Sequence, residues 1–409
     1  MRILHVNKFL YRRGGADGYM LDVSALQSER GDEIEYFAMS HPMNQPSRFA
    51  AYFPAYVEFE PSPESLSGKL KAAGRLMYSP AARAGIESVL KEFRPDVIHL
   101  HNIYHQLSPS LLRPIRREGI PAVMTLHDYK LACPTYLFLA NGELCEACLG
   151  GHFYQAILKR CKDKSLAAST LNAVELTIHT ATKAYSPVNL FVCPSHFIMS
   201  KMNQAGVFPE RLRWVPNFIA TSLAKPKRDP GGGVVYAGRL SQEKGVDVLI
   251  QAVARLGARL DIAGDGPQKA ELQALGERLG AKDIHFHGHL SRADVLSLLR
   301  SAAVSVLPSR CHENQPLLVL ESLACGVPVV GTKLGGVPEL IRQGVDGDLV
   351  APNAPDELAD RIGAILSDPR RAYEMGQAGR EKMDQEFSPS RHLQRLDGIY
   401  EEAKTLATR

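Results

Sequence analysis

The sequence predicts an α/β protein built from two doubly wound parallel sheets facing each other across a cleft. Three observations carry this prediction. Apolar strand-like runs alternate with helical periodicity through both halves of the chain. The alternation breaks at Lys225-Pro226-Lys227-Arg228-Asp229-Pro230-Gly231-Gly232-Gly233, whose prolines, glycines and charges mark a boundary, and then restarts. A chain of 409 residues also exceeds what one ordinary core serves.

In the first half, strands are expected at 2–7, 33–38, 96–100, 122–126 and 190–193. Helices are expected at 16–30, 80–93, 108–118, around 165–183 and at 195–204. Residues 39–67, rich in proline and aromatics and poor in periodicity, read as a long functional or mobile loop. A cysteine-bearing insert occupies about 131–165. After the linker, strands at 234–237, 259–263, 284–287, 303–307 and 327–331 alternate with helices at 246–256, 268–280, 291–302 and 316–325. The domains are therefore set at 1–217 and 218–388, with a last helix in 389–409 that crosses back to the first domain. Parallel sheets bind ligands beyond the C-terminal ends of their strands, so the strand-end loops are where chemistry is expected.

Composition narrows the class. Hydrophobic content of 45% and charged content of 22% are those of a soluble globular protein. No apolar run approaches ~18 residues, so no spanning helix is expected. The N-terminus runs straight into a strand, with none of the layout of a signal peptide, and a cytoplasmic location is expected. The net charge of +4 comes from the first half. Its basic residues gather at Lys69, Lys71, Arg75 and Arg83, at Arg113, Arg116 and Arg117, and at Lys159, Arg160, Lys162 and Lys164. Such clusters suit peripheral contact with the cytoplasmic face of a membrane, or simply a solvated surface. No basic stripe is interleaved with aromatics, and nucleic acid is not an expected partner.

Several strand-end loops carry chemistry-bearing residues. Gly14-Gly15 follows the first strand and opens a helix; it serves close ligand approach or an ordinary turn. His101 and His127 end two further strands, where an imidazole can hydrogen-bond a substrate hydroxyl or move a proton. For His101 a purely structural role is equally open, whereas Asp128 and Tyr129 make the His127 loop polar. In the second half, Gly238-Arg239 and Lys244 share one strand-to-helix loop, and their cations are spaced to converge on one anion. Gly264 and Gly266 open the next helix with close backbone access, and His289 ends the following strand, where it could meet a flat base.

The stretch from Arg310 to Glu321 links these loops. Glu313 precedes a predicted helix beginning at Pro316, a residue suited to a first helical turn, and Glu321 lies inside that helix. The N–H groups of Leu317 and Leu318, at the positive end of the helix dipole, would receive a phosphate. Acids on either side suit the hydroxyls of a nucleotide-sugar, or are a capping acid and a solvated one.

With these pieces the chain resembles the retaining glycosyltransferases of the large family-four group, which have two facing Rossmann-like domains, the B-type glycosyltransferase fold. The resemblance is carried by Gly14-Gly15, Thr125-Leu126-His127, Pro216-Asn217, Gly238-Arg239 with Lys244-Gly245, and Gly264-Asp265-Gly266-Pro267. It is completed by Glu313 with Glu321, by Gly326-Val327-Pro328-Val329-Val330, and by Gly335-Gly336-Val337-Pro338-Glu339. It implies a UDP- or GDP-sugar donor, a glycan or lipid-linked acceptor, and a setting in cell-surface polysaccharide biosynthesis. Arg239 and Lys244 would hold the diphosphate, with Leu317 and Leu318 offering N–H groups to it. Glu321 would hold the ribose, Glu313 and His127 the donor sugar. Gly15 would pack near the phosphates and His289 near the base. Asn314, Gln315 and Pro316 stand where the family often has Gly-Phe-Gly, which leaves the donor sugar open. No cofactor is expected for catalysis: a diphosphate leaving group needs cations, and no Asp-x-Asp ends a strand. The alternatives from the residues alone are another sugar enzyme with two such sheets (a phosphorylase or epimerase) and a non-catalytic nucleotide-sugar binder.

One feature falls outside this account. Cys133, Cys145, Cys148 and Cys161 lie in the insert, and the C-x-x-C spacing favours metal over disulfides in a cytoplasmic protein. Four thiolates would suit a closed structural zinc site; free or reversibly oxidised thiols are the other reading.

Overall fold

The computed structural model describes residues 1–57, 74–220, 222, 229 and 231–408. Lys69 and Lys71, residues 58–67 of the long loop, and most of the linker lie outside the described residues. The chain divides into two compact units. One comprises Met1–Asn141, Cys145–Val215 and the C-terminal segment from Leu393; the other comprises Gly142–Leu144 and Pro216–His392.

The first unit holds a six-stranded parallel sheet. Its strands are β1 (Arg2–Val6), β2 (Glu33–Phe37), β3 (Val97–Leu100), β4 (Ala122–Thr125), β7 (Leu190–Cys193) and β8 (Leu212–Trp214), in the order β2-β1-β3-β4-β7-β8. A short two-stranded ribbon, β5 (Leu139–Ala140) with β6 (Glu143–Leu144), interrupts the chain order. In β3, β4 and β7 every residue is buried, as expected of parallel strands covered on both faces. In register, His5 of β1 lies opposite His99 of β3, so two imidazoles share one buried face of the sheet.

The second unit repeats the plan with β9 (Val234–Ala237), β10 (Leu260–Ala263), β11 (Ile284–Gly288), β12 (Val304–Leu307), β13 (Val329–Thr332) and β14 (Gly347–Val350), in the order β11-β10-β9-β12-β13-β14. Its two faces build separate apolar clusters. One is centred on Leu249, Ile262, Val306 and Ile362, the other on Val319, Leu323, Val329 and Met383. In both sheets the order reverses beside the first strand, which is the switch point where ligands bind in such folds.

Three local expectations are revised. The helix expected at 108–118 is a 3₁₀ turn, Pro109–Leu111, followed by Leu112–Arg117, because Pro114 has no N–H to continue a longer ladder. The helix expected from Pro316 runs Leu317–Ala324, and Pro316 is its extended N-cap rather than its first residue. Strand β8 and the β5–β6 ribbon were not expected, since two- and three-residue strands leave no periodicity to read. The last helix, Pro389–Ala407, inserts Tyr400 fully buried into the first unit, where Gln27 Nε2 donates to its hydroxyl at 3.0 Å.

Candidate functional site

In the second unit, the loops after β9, β10, β12 and β13 are pressed together backbone to backbone, and glycines make this possible. Gly245 has φ +65°, and a Cβ there would lie 2.1 Å from the Pro308 carbonyl oxygen. Gly335 has φ +62°, and a Cβ would lie 2.1 Å from the Glu313 carbonyl oxygen, which also accepts from the Gly336 N–H at 2.7 Å. Gly264 and Gly266 press in the same way on the carbonyls of Gly238 and Leu240. These last two glycines were expected to admit a ligand; in the structure they fit loop against loop.

This packing fixes the charged groups. Lys244 Nζ lies 2.7 Å from Glu313 Oε1, which also accepts from Ser309 Oγ at 2.6 Å. Burial opposes both charges. The mutual attraction outweighs it, holding the Lys244 ammonium above its ordinary value and the Glu313 carboxyl below its own. The pair is therefore ionised at neutral pH. Beside it, Arg310 forks onto both carboxylate oxygens of Asp247 at 2.7 and 2.6 Å and ties the loop after β12 to the helix after β9.

Glu313 stands four residues before the helix Leu317–Ala324. The N-cap, Pro316, offers no side-chain acceptor, and the N–H groups of Leu317 and Leu318 have no carbonyl within the helix to meet. Further along this helix, Glu321 Oε1 accepts from Arg292 Nε at 2.9 Å. Arg292 was missed in the sequence; the signal was a cation at the first position of a helix after a strand-end loop. The Gln315 side chain is buried and its oxygen accepts from the Asn217 N–H. It braces the chain before the linker, a duty the sequence did not suggest for a donor contact. Arg239, Gly238 and His289 are exposed just past the ends of their strands, and Gly15 is exposed as the first residue of the helix Gly15–Glu29. Asn314 is only partly buried.

His127 belongs to the first unit and ends a chain of imidazoles. Gln27 Oε1 lies 2.8 Å from His5 Nε2, His5 Nδ1 lies 3.1 Å from His101 Nε2, and His101 Nδ1 lies 3.1 Å from His127 Nε2. Burial lowers the pKa of His5 to about 4 and those of His101 and His127 likewise downward, so all three rings are neutral near pH 7. A neutral imidazole has one N–H and one lone pair. The Gln27 oxygen only accepts, so His5 donates from Nε2. His101 then donates to His5, and His127 donates from Nε2 to His101. His127 is thereby left with an unprotonated Nδ1. Thus His101, an open question in the sequence, is a structural link.

Among the described residues, His5, His99 and His101 form a group with ligand atoms within 4.8 Å of one another, as a metal would need. The hydrogen bonds already use these nitrogens: His99 meets the Tyr400 hydroxyl at 2.8 Å and Thr125 Oγ1 at 2.7 Å. The four insert cysteines are all free of disulfides. Burial first, then the neighbouring thiols Cys133, Cys161 and Cys145, push Cys148 up to about 12. Cys161 is pushed to about 11 by burial, then by Cys145 and Cys133. The thiols are thus close enough to act on one another, but among the described residues no three of them have ligand atoms within 4.8 Å of one another, so they are neighbours rather than a closed ligand set.

Comparison with known proteins covers nearly the whole chain. The family model for Glycosyltransferase Family 4 matches residues 13–223, and that for Glycosyl transferases group 1 matches residues 222–382. A D-inositol 3-phosphate glycosyltransferase of Segniliparus rotundus is 27% identical over 389 residues, covering 90% of this chain and 80% of that protein. Among solved structures, the sucrose-phosphate synthase of Thermosynechococcus elongatus superposes with a TM-score of 0.74 at 19% identity, over 98% of both chains. Anabaena HepE, solved with UDP-glucose, superposes with a TM-score of 0.66 at 20% identity, over 100% of both chains. These likenesses establish the two-domain α/β fold.

Proposed function

The chain belongs to glycosyltransferase family 4, and from that premise we propose that it moves a sugar from a UDP- or GDP-sugar to a glycan or lipid-linked acceptor, with retention of configuration. The single observation that carries this reading is the ionised Lys244–Glu313 pair four residues before an uncapped helix N-terminus. In this reading Lys244, Arg239 and the N–H groups of Leu317 and Leu318 balance the diphosphate charge as the glycosidic bond to phosphate breaks. Glu313 positions the sugar hydroxyls and is not a nucleophile. The acceptor hydroxyl attacks the face that the phosphate vacates, and a phosphate oxygen takes its proton. His127 meets the donor sugar, and its unprotonated Nδ1 requires a hydroxyl that donates. Glu321, oriented by Arg292, receives the ribose hydroxyls. Gly15 packs near the phosphates and His289 faces the base. Charge balance by side chains and a helix dipole makes the reaction metal-independent.

The reading extends to setting. Polysaccharide assembly at the cytoplasmic face of a membrane suits the basic first unit. No helix among the described residues is long and apolar enough to cross a membrane. Cys133, Cys145, Cys148 and Cys161 would hold a structural zinc; metal analysis of protein purified without chelator should find about one zinc per chain.

A panel of nucleotide-sugars tests the main proposal. The correct donor raises the melting temperature by mass action and is slowly hydrolysed without acceptor. A panel in which no UDP- or GDP-sugar stabilises the chain contradicts it.

A further inference from the structure

The helix Leu166–Ala181 has its polarity turned inside out. Surface helices carry charge on the outer face. Here the ionisable side chains are Glu175 and His179, and both face inward: Glu175 Oε2 meets Lys130 Nζ at 2.7 Å, and His179 Nε2 meets the Met77 carbonyl at 3.2 Å. Outward, Leu166, Val174 and Ile178 are 53%, 40% and 43% exposed. They recur at multiples of four positions, so they form one line along the helix. The short helix Gln155–Leu158 packs beside it and adds Leu158, 70% exposed. Cations stand at both ends of this uncharged stripe: Lys159, Arg160 and Lys164 at its start and Lys183 at its end, all exposed.

We propose that this face lies on an anionic lipid surface, with Leu158, Leu166, Val174 and Ile178 in the acyl boundary and the four cations among the headgroups. An uncharged stripe bounded by Lys and Arg is the design of an interfacial helix. At sixteen residues the helix is too short to span a bilayer. A second copy of this chain fits less well, because isologous contact would bring the cationic ends together. The proposal narrows the membrane contact suggested above to one face. Vesicle binding needs no transfer activity, so either reading can fail without the other.

The test is sedimentation of the full chain with vesicles of phosphatidylcholine containing phosphatidylglycerol, against phosphatidylcholine alone. Wild type should bind the anionic vesicles, and less so as salt rises. Leu158→Ser with Ile178→Ser should weaken binding several-fold. Lys159→Glu with Arg160→Glu should weaken it by at least about ten-fold. Both variants should keep the wild-type melting temperature, since all four side chains are exposed. Three results would overturn the proposal: no wild-type binding at low salt, binding unchanged by Leu158→Ser with Ile178→Ser, or concentration-dependent self-association that this pair of substitutions abolishes while vesicles have no effect.

Discussion

Glu313 Oε1 sits 2.7 Å from Lys244 Nζ, and the two residues are delivered by different strands of the same sheet. Lys244 ends the turn after β9, and Glu313 lies in the loop after β12, the strand beside β9. The contact depends on Gly245 and Gly335, which let their loops approach the carbonyls of Pro308 and Glu313.

Gly245→Ala and Gly335→Ala should each cost about 1–3 kcal/mol, because a Cβ meets both a positive φ and a carbonyl oxygen. Urea unfolding measures the loss. Unchanged midpoints would mean that the loops are free to part.

The buried Lys130–Glu175 pair sets an acid limit on the first unit. Burial opposes the Glu175 charge, but Lys130 and then His105 bring its carboxyl down to about 2, from an ordinary value of 4.5. A lowered carboxyl pKa contributes stability fully above the unfolded value. That contribution should fade as pH falls from about 4.5 towards 2. Lys130→Met leaves the carboxylate buried without its cation and should cost roughly 3–5 kcal/mol at pH 7, with most of the loss disappearing in acid. Denaturant midpoints across pH check both statements.

Gln27 governs the proton on His127 through His5 and His101. Nitrogen-15 NMR of histidine-labelled protein should find His127 protonated at Nε2 and bare at Nδ1. In Gln27→Met the acceptor is gone, and both tautomers should appear. A wild-type His127 protonated at Nδ1 would reverse the direction of the whole chain.

Arg292 orients Glu321, so Arg292→Ala should raise the donor KM about ten-fold with kcat little changed, as expected for lost uniform binding. A fall in kcat alone would place Arg292 in the chemistry instead.

How much of this was legible in the sequence depends on the kind of signal. The two parallel sheets were legible because buried strands such as Leu190–Cys193 read as unbroken apolar runs between helices. Lys244, Glu313 and Glu321 were legible as charges at strand ends and a helix start. The histidine chain was not. His5 and His99 are neighbours only through strand register, and Gln27 reaches them from a helix and Tyr400 from the far end of the chain. The packing duty of Gly264 and Gly266 was hidden for a similar reason, since a glycine's spacing does not say whether a ligand or another loop approaches it.

The central claim is that Lys244 and Glu313 hold the donor at the bond being broken. The most direct measurement is the rate of sugar transfer by Lys244→Ala and Glu313→Ala, each checked for a wild-type circular dichroism spectrum. Both should lose at least about 10²-fold in kcat while remaining folded. Near-normal turnover in either folded variant would contradict the assignment.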